Sequence, residues 1–414
     1  MNVIFLTMSR LTDISQRHIY TDLLRKFRNE GHNVYIIAPV ERGNGSWLKV
    51  HGSSLKEQDG VRILGVKTLN LQKTSVVEKG IGQILVESQY KKAIKKQLKD
   101  VSFDLILYST PPITFPKVIK FLKKRNPNAK TYLLLKDIFP QNAVDMGMMR
   151  KTGVKGILYK YFRQKEKALY GLSDYIGCMS PANVQFVLEH NSEISADRVG
   201  VAPNSIELVE KKYEDGQEKT EKYNIRKKYD LPTDKLIFIY GGNLGRPQGI
   251  DYLIKCLDAN KQRSDCFFVV VGNGTEYDKL DSWFKVNGSG SCVKLMQRLP
   301  KDDYDMLVRY CDIGLIFLDH RFTIPNYPSR LLSYLEYKMP VLCATDVNTD
   351  IGKIAEENGY GYWCESVKPE DFTALVDKML ASDRKAMGER GHEFLKQNYL
   401  VENTYNAIMK HLKP

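Results

Sequence analysis

Short, wholly apolar runs alternating with amphipathic helical stretches predict an α/β protein of two doubly wound domains, each built on a parallel sheet. The alternation occurs twice along the chain, and 414 residues suit two domains with full cores. The composition, 43% hydrophobic and 27% charged, is that of ordinary globular proteins and speaks against a disordered or fibrous chain.

In the first series Val3–Thr7, Val34–Ala38, Arg62–Val66, Leu105–Tyr108, Thr131–Leu135 and Tyr175–Cys178 read as strands, because a strand covered on both faces is continuously apolar. Between them His18–Glu30, Gly80–Leu98, Pro116–Lys124, Gly156–Tyr170 and Pro181–Glu189 carry apolar residues at helical spacing. The segment 207–230 is dense in Lys, Glu and Asp until Leu231-Pro232 and reads as a linker or surface loop leading into a short helix. The second series has strands Leu236–Tyr240, Phe267–Val271, Val293–Met296, Ile313–Leu318 and Val341–Ala344. Its helices fall near Ile250–Asn260, Glu276–Val286, Asp302–Arg309, Arg330–Tyr337 and Ile351–Glu357. The last helices, Arg384–Asn398 and Val401–Leu412, have no further strand to serve and are expected to fold back across the junction. The expected domains are 1–205 and 206–398, with a terminal helix at about 399–414 returning to the first.

Seven scattered cysteines with no Cys-x-x-Cys pair argue against a disulfide framework or a structural zinc site and fit a reducing compartment. No apolar run approaches the ~20 residues of a membrane span, and residues 2–7 suit a buried strand better than a signal peptide. A soluble, cytoplasmic protein is expected. The net charge of +13 is uneven: residues 1–200 carry +15 and residues 201–414 carry −2. So local an excess points to an anionic partner. No nucleic-acid-binding motif accompanies it, so the expected partner is an anionic membrane surface rather than nucleic acid. Ile157, Leu158, Tyr161, Phe162, Ala168 and Leu169 form one helical stripe flanked by Lys155, Lys160, Arg163 and Lys167, as in helices that lie on membranes. The same stripe would also suit a helix packed on its own domain.

Three turns in the second series suit phosphate. Gly241-Gly242-Asn243-Leu244-Gly245-Arg246-Pro247-Gln248-Gly249 leaves a strand and enters a helix, where glycines admit an oxyanion and Arg246 could pair with it. It is not a G-x-G-x-x-G dinucleotide fingerprint. Gly272-Asn273-Gly274 ends another strand, as a ligand contact or a plain turn. In Asn326-Tyr327-Pro328-Ser329-Arg330-Leu331, Pro328 fits a helix first turn and would leave the amides of Ser329 to Leu331 free for an anion; Glu336 follows, where a carboxylate could accept from a ribose diol. Asp302-Asp303 opens a helix and reads as N-terminal capping rather than a metal site, so no metal is expected.

Together these turns resemble the retaining GT-B nucleotide-sugar transferases of glycosyltransferase family 4, especially the bacterial capsule and O-antigen enzymes, over almost the whole chain. Gly31-His32-Asn33-Val34 is similar to the family's "GHxV", Lys136-Asp137-Ile138-Phe139-Pro140 to its "D-x-x-P", and Ala202-Pro203-Asn204 to its "PN" strand end. Gly272-Asn273-Gly274 resembles "GxG", Leu299-Pro300 resembles "lp", and Leu335-Glu336 through Pro340-Val341 resembles "LEAMA-x-G-x-PV". The chain departs where the family's Arg and Lys fall on Asn243 and Gln248, its first Glu on Pro328, and its His on Lys136; Arg246 and Arg330 would replace the lost charge.

The resemblance implies two Rossmann-like domains facing across a cleft, the first for acceptor and the second for donor. It implies transfer, with retention and without metal or cofactor, of a sugar (an N-acetylated or deoxy hexose) from a UDP-sugar to an undecaprenyl-pyrophosphate-type lipid-linked saccharide. The site would be cytoplasmic, at the inner face of the membrane. Asp137, Arg246 and Arg330 would be catalytic. Gly242, Asn243, Gln248, Gly272, Asn273, Leu299, Ser329, Leu331 and Glu336 would hold the donor. Arg10, Arg17, His18, Lys136 and Asn204 would meet the acceptor. A UDP-sugar epimerase and a catalytically silent nucleotide-sugar-binding partner are the alternatives.

Overall fold

The computed structural model describes residues 1–41, 53–68, 76–209, 217–288 and 290–412. The chain divides into two units, 1–207 together with 401–414, and 208–400.

In the first unit the strands are β1 (Asn2–Leu6), β2 (Asn33–Glu41), β3 (Ser54–Gln58), β4 (Val61–Thr68), β5 (Leu105–Ser109), β6 (Lys130–Leu135), β7 (Tyr175–Cys178) and β8 (Val199–Val201). They form one sheet in the order β3-β4-β2-β1-β5-β6-β7-β8, parallel except for the antiparallel β3–β4 pair. The described helices are α1 (Ile19–Asn29), α2 (Val76–Gln97), α3 (Pro116–Arg125), α4 (Gln141–Asp145), α5 (Gly153–Leu172) and α6 (Pro181–His190). The sheet reverses direction of winding between β1 and β5, so the loops after those strands and after β6 gather at their carboxyl ends. The strand β5 is buried along its whole length and β6 beyond Lys130, as continuous apolar runs require.

The second unit begins with α7 (Gln217–Lys228) and contains β9 (Leu236–Asn243), α8 (Ile250–Asn260), β10 (Cys266–Asn273), α9 (Tyr277–Asn287), β11 (Val293–Met296), α10 (Lys301–Arg309), β12 (Ile313–Phe317), α11 (Arg330–Glu336), β13 (Val341–Thr345), α12 (Ile351–Glu357), β14 (Gly361–Glu365), α13 (Pro369–Ala381) and α14 (Arg384–Asn398). Its sheet, β11-β10-β9-β12-β13-β14, is parallel throughout, with the reversal between β9 and β12. Phe238, Phe268, Leu253, Leu315 and Val376 belong to the core on one side of it.

Several elements differ from expectation. The charged segment after residue 207 holds α7, which has no apolar stripe to announce it. Its anchor is the buried Arg226, paired with Asp312 at 2.6 Å and donating to the carbonyls of Tyr310 and Lys235. Strands β3, β8 and β14 and helices α4 and α13 are additions; β14 precedes α14, and no strand follows it among the described residues. Of the last helices, α14 stays in the second unit, where Gly391 lies against Leu335 and Tyr360. Helix α15 (Val401–Met409) joins the first, its Tyr405 ring 4.9 Å from Phe27 and its Thr404 hydroxyl donating to the Pro203 carbonyl. Asp302 and Asp303 do not cap α10: the residue before that helix is Pro300, and Asp303 pairs with Lys228 of α7.

Candidate functional site

At the carboxyl end of the second sheet, β9 and β10 run in register to their last residues, Asn243 opposite Asn273. This closeness dictates glycine. A Cβ on Gly272 would overlap the Gly242 carbonyl oxygen, and Gly242 itself has φ +132. Beyond the strands the Leu244 amide donates to the Asn273 carbonyl, and the Asn273 side chain accepts from the Arg298 amide, which ties the Leu299 loop to the same corner.

Asn243 and Gln248, standing where the family has Arg and Lys, bind each other: the Asn243 amide donates to Gln248 Oε1 at 3.0 Å, joined by the Gly245 N–H at 3.2 Å. They shape the turn as a neutral clamp. Arg246 in the same turn is exposed and lies 3.4 Å from Glu276, a loose surface pair.

Arg330 is different in kind. Its guanidinium lies 4.3 Å from the centre of the Tyr240 ring, and a Cβ on Gly242 would be 3.4 Å from its Nη2. Its Nη1 is buried with no hydrogen-bond partner among the described residues. Burial opposes the charge, while Tyr240, Tyr334 and Tyr304 around it favour it. A shielded cation with a vacant donor, at the end of the strand next to the switch point, is ready-made for an anion.

Other parts of the expected donor set are otherwise engaged. The Leu331 amide, expected to be free, donates to the Pro328 carbonyl, and Leu332 to that of Ser329, because α11 starts with tight turns. Glu336 is buried at the far end of α11, where its Oε1 accepts from the Val209 amide.

In the first unit Asp137 follows β6. The Thr110 hydroxyl oxygen accepts the amides of Lys136 and Asp137 and donates to the Asp137 carbonyl, fixing this backbone. The carboxylate receives the Asn142 side-chain amide on both oxygens, at 2.8 and 2.9 Å. Burial pushes its pKa up to about 6 against these hydrogen bonds.

Most of the expected acceptor residues have contacts of their own. Lys136, drawn down to about 7 by burial, donates to the Ala202 carbonyl at 3.0 Å. With Asn204 it lines a space of about 10 Å³, room for a water but not a sugar. His18 caps α1, its Nδ1 accepting the Tyr20 amide, and Arg17 donates to the Glu207 carbonyl. Arg10 is exposed. The sequence reading missed Tyr240, the platform under Arg330, and Asn142. Tyr240 reads there as one more apolar strand residue, and Asn142 sits in the unanticipated α4.

Residues 221–394 match the family model described as glycosyl transferases group 1. The match lies within the second unit. WbjE of Pseudomonas aeruginosa, named a probable glycosyltransferase, is 23% identical over 333 residues, covering 79% of this chain and 78% of the relative. WcaI of Escherichia coli (strain K12), named for colanic acid biosynthesis glycosyl transfer, is 27% identical over 155 residues, 37% of this chain and 36% of the relative. Among solved structures, sucrose-phosphate synthase from Thermosynechococcus elongatus superposes with a TM-score of 0.74 at 12% identity, over 99% of this chain and 98% of that one. HepE of Anabaena in complex with UDP-glucose gives 0.69 at 13%, over 100% and 99%. The fold is that of GT-B glycosyltransferases, two Rossmann-like units with parallel sheets. Gly242, Gly272 and Arg330 all lie within the matched residues.

Proposed function

We propose that this chain is a retaining, family 4-type glycosyltransferase of surface-polysaccharide synthesis. On this reading it moves a sugar from a UDP-sugar to a lipid-pyrophosphate-linked saccharide at the inner membrane face. The names of WbjE and WcaI support glycosyl transfer in polysaccharide synthesis, and the UDP-glucose bound by HepE supports the donor class.

The observation that carries the reading is the vacant, buried Nη1 of Arg330 beside Gly242. Departure of UDP places growing negative charge on the diphosphate, and a preorganised guanidinium lowers that barrier without reorganising. Arg246, only loosely held by Glu276, is free to turn to the same anion. These cations do the work assigned elsewhere to a metal, and no cofactor is needed. In a retaining transfer the departing phosphate oxygen takes the acceptor hydroxyl's proton on the face it leaves. Asp137 would orient the acceptor or stabilise positive charge on the sugar ring. The exposed Ile157, Leu158 and Tyr161 of α5, in the basic first unit, suit an acceptor held at an anionic membrane.

Titration calorimetry with UDP tests this directly. Arg330→Met is expected to weaken UDP binding at least about tenfold, the worth of one hydrogen bond to a charged group. Unchanged affinity would remove the reading. The Asn243–Gln248 clamp, neutral where the family carries two cations, favours one second reading, a nucleotide-sugar-binding partner without turnover. That protein would bind UDP normally yet release none from a panel of UDP-sugars mixed with lipid-linked acceptors.

A further inference from the structure

We infer that Asn142 is a positioning residue for Asp137, its side-chain amide fixing the orientation and charge of that carboxylate. The inference rests on the reading that Asp137 takes part in the transfer.

The two residues are brought together by a five-residue step. β6 ends, Asp137 turns away from the sheet, and α4 starts at Gln141, with the Asn142 amide donating to the Ile138 carbonyl. From one side Thr110 grips the backbone at Lys136 and Asp137; from the other Asn142 Nδ2 reaches both carboxylate oxygens at 2.8 and 2.9 Å. The residue is therefore fixed at its backbone and bound at both carboxylate oxygens.

No cation does this work. Among the described residues no ion pair reaches Asp137, and the neighbouring Lys136 ammonium is directed to the Ala202 carbonyl. The other titratable groups that act on the site are Tyr20 from α1 and Glu166 from α5, the latter already paired with Arg163 and accepting from the Tyr170 hydroxyl. Glu166 and burial both favour the protonated acid; the Asn142 amide and the Ile138 N–H favour the anion.

The orientation of the amide is informative. With its NH₂ group on the carboxylate, Asn142 Oδ1 is left buried with no donor among the described residues. Were Asp137 protonated, the reversed amide could accept the acid proton and the mismatch would be smaller. An ionised carboxylate accepts the NH₂ on either oxygen, whereas an amide oxygen turned towards it would face a negative charge. The amide therefore favours the anion at a place where burial discourages one.

The test uses the full chain and two readouts. Carboxyl ¹³C titration, with the Asp137 signal assigned by its loss in Asp137→Asn, is expected to place the midpoint near 6 in the parent chain. In Asn142→Ala it should move up by about one unit, and in Asn142→Asp further, since a second carboxylate replaces a donor. With UDP-glucose as probe, UDP release by Asn142→Ala should fall about tenfold at the acid end of the profile and recover at alkaline pH. A merely structural role would lower the rate equally at every pH. Should Asn142→Ala not fold, Asn142→Ser, whose hydroxyl keeps one donor, is expected to shift the midpoint by a smaller amount in the same direction. A parent-like midpoint in a folded Asn142 variant overturns the inference. Full turnover by Asp137→Asn instead overturns the reading of Asp137 on which it rests, so the two failures are told apart.

Discussion

Arg330 carries its charge into a place where burial opposes it, and Asp137 does the same with the opposite sign. Such groups lower stability in exchange for function, which makes them testable apart from activity. The pKa of Asp137 in the folded chain, about 6, lies above the ordinary carboxylate value of 3.8. The folded state thus binds the proton more tightly than the unfolded one, and stability falls as pH rises through this window. Asp137→Asn removes the loss and still accepts from Asn142. It is expected to raise stability at pH 7 by about 2 kcal/mol, discounted for partial exposure, and to leave stability at pH 4 nearly unchanged. Denaturant titrations at the two pH values would show the difference; an equal effect at both would contradict it. Arg330 stood out in the sequence as a charged residue at a helix start, and Asp137 through its resemblance to the D-x-x-P motif. Tyr240 and Asn142 did not, because their roles come from where other residues place a guanidinium and a carboxylate.

At the scale of elements, apolar periodicity revealed the inner strands and most helices, but not α7. That helix is attached by a polar bolt. Arg226 is 3% exposed, pairs with Asp312 and donates to the carbonyls of Lys235 and Tyr310, just before β9 and β12, while Asp312 also accepts the Ile237 amide. Removing one partner leaves a charge with little water around it. Arg226→Ala is expected to destabilise the second unit by about 3–5 kcal/mol in denaturant titration. Arg226→Met combined with Asp312→Asn should recover part of that loss, since the substituted amide would retain an acceptor for Ile237 and the one cation left without its partner, Lys222, is exposed to solvent. A double substitution as damaging as the sum of its singles would show that the pair is not the anchor. The edge strands β3, β8 and β14 escaped for a related reason: short and partly exposed strands lack the continuous apolar run that identifies interior ones.

For the molecule as a whole, the uneven charge was plain in the sequence, and the structure adds where apolar surface accompanies it. Ile157, Leu158 and Tyr161 are 70%, 51% and 44% exposed on the first half of α5, with Met148 at 56% just before the helix and Lys160 and Lys167 also exposed. The second half of the stripe turns inward, with Leu169 fully buried. The helix therefore packs at one end and presents apolar surface at the other. No described helix is long and apolar enough to cross a membrane, so any attachment through α5 would be at the surface. Basic residues near an anionic bilayer contribute about 1 kcal/mol each and are screened by salt, whereas inserted apolar side chains are not. Flotation with phosphatidylglycerol-containing vesicles should show binding that weakens, but persists, at about 0.5 M salt. Ile157→Glu with Leu158→Glu should reduce it at least about tenfold while leaving the melting temperature unchanged, because neither side chain belongs to the core. Binding that vanishes with salt and ignores the substitutions would assign attachment to charge alone, and α5 would then be an ordinary solvent-facing helix.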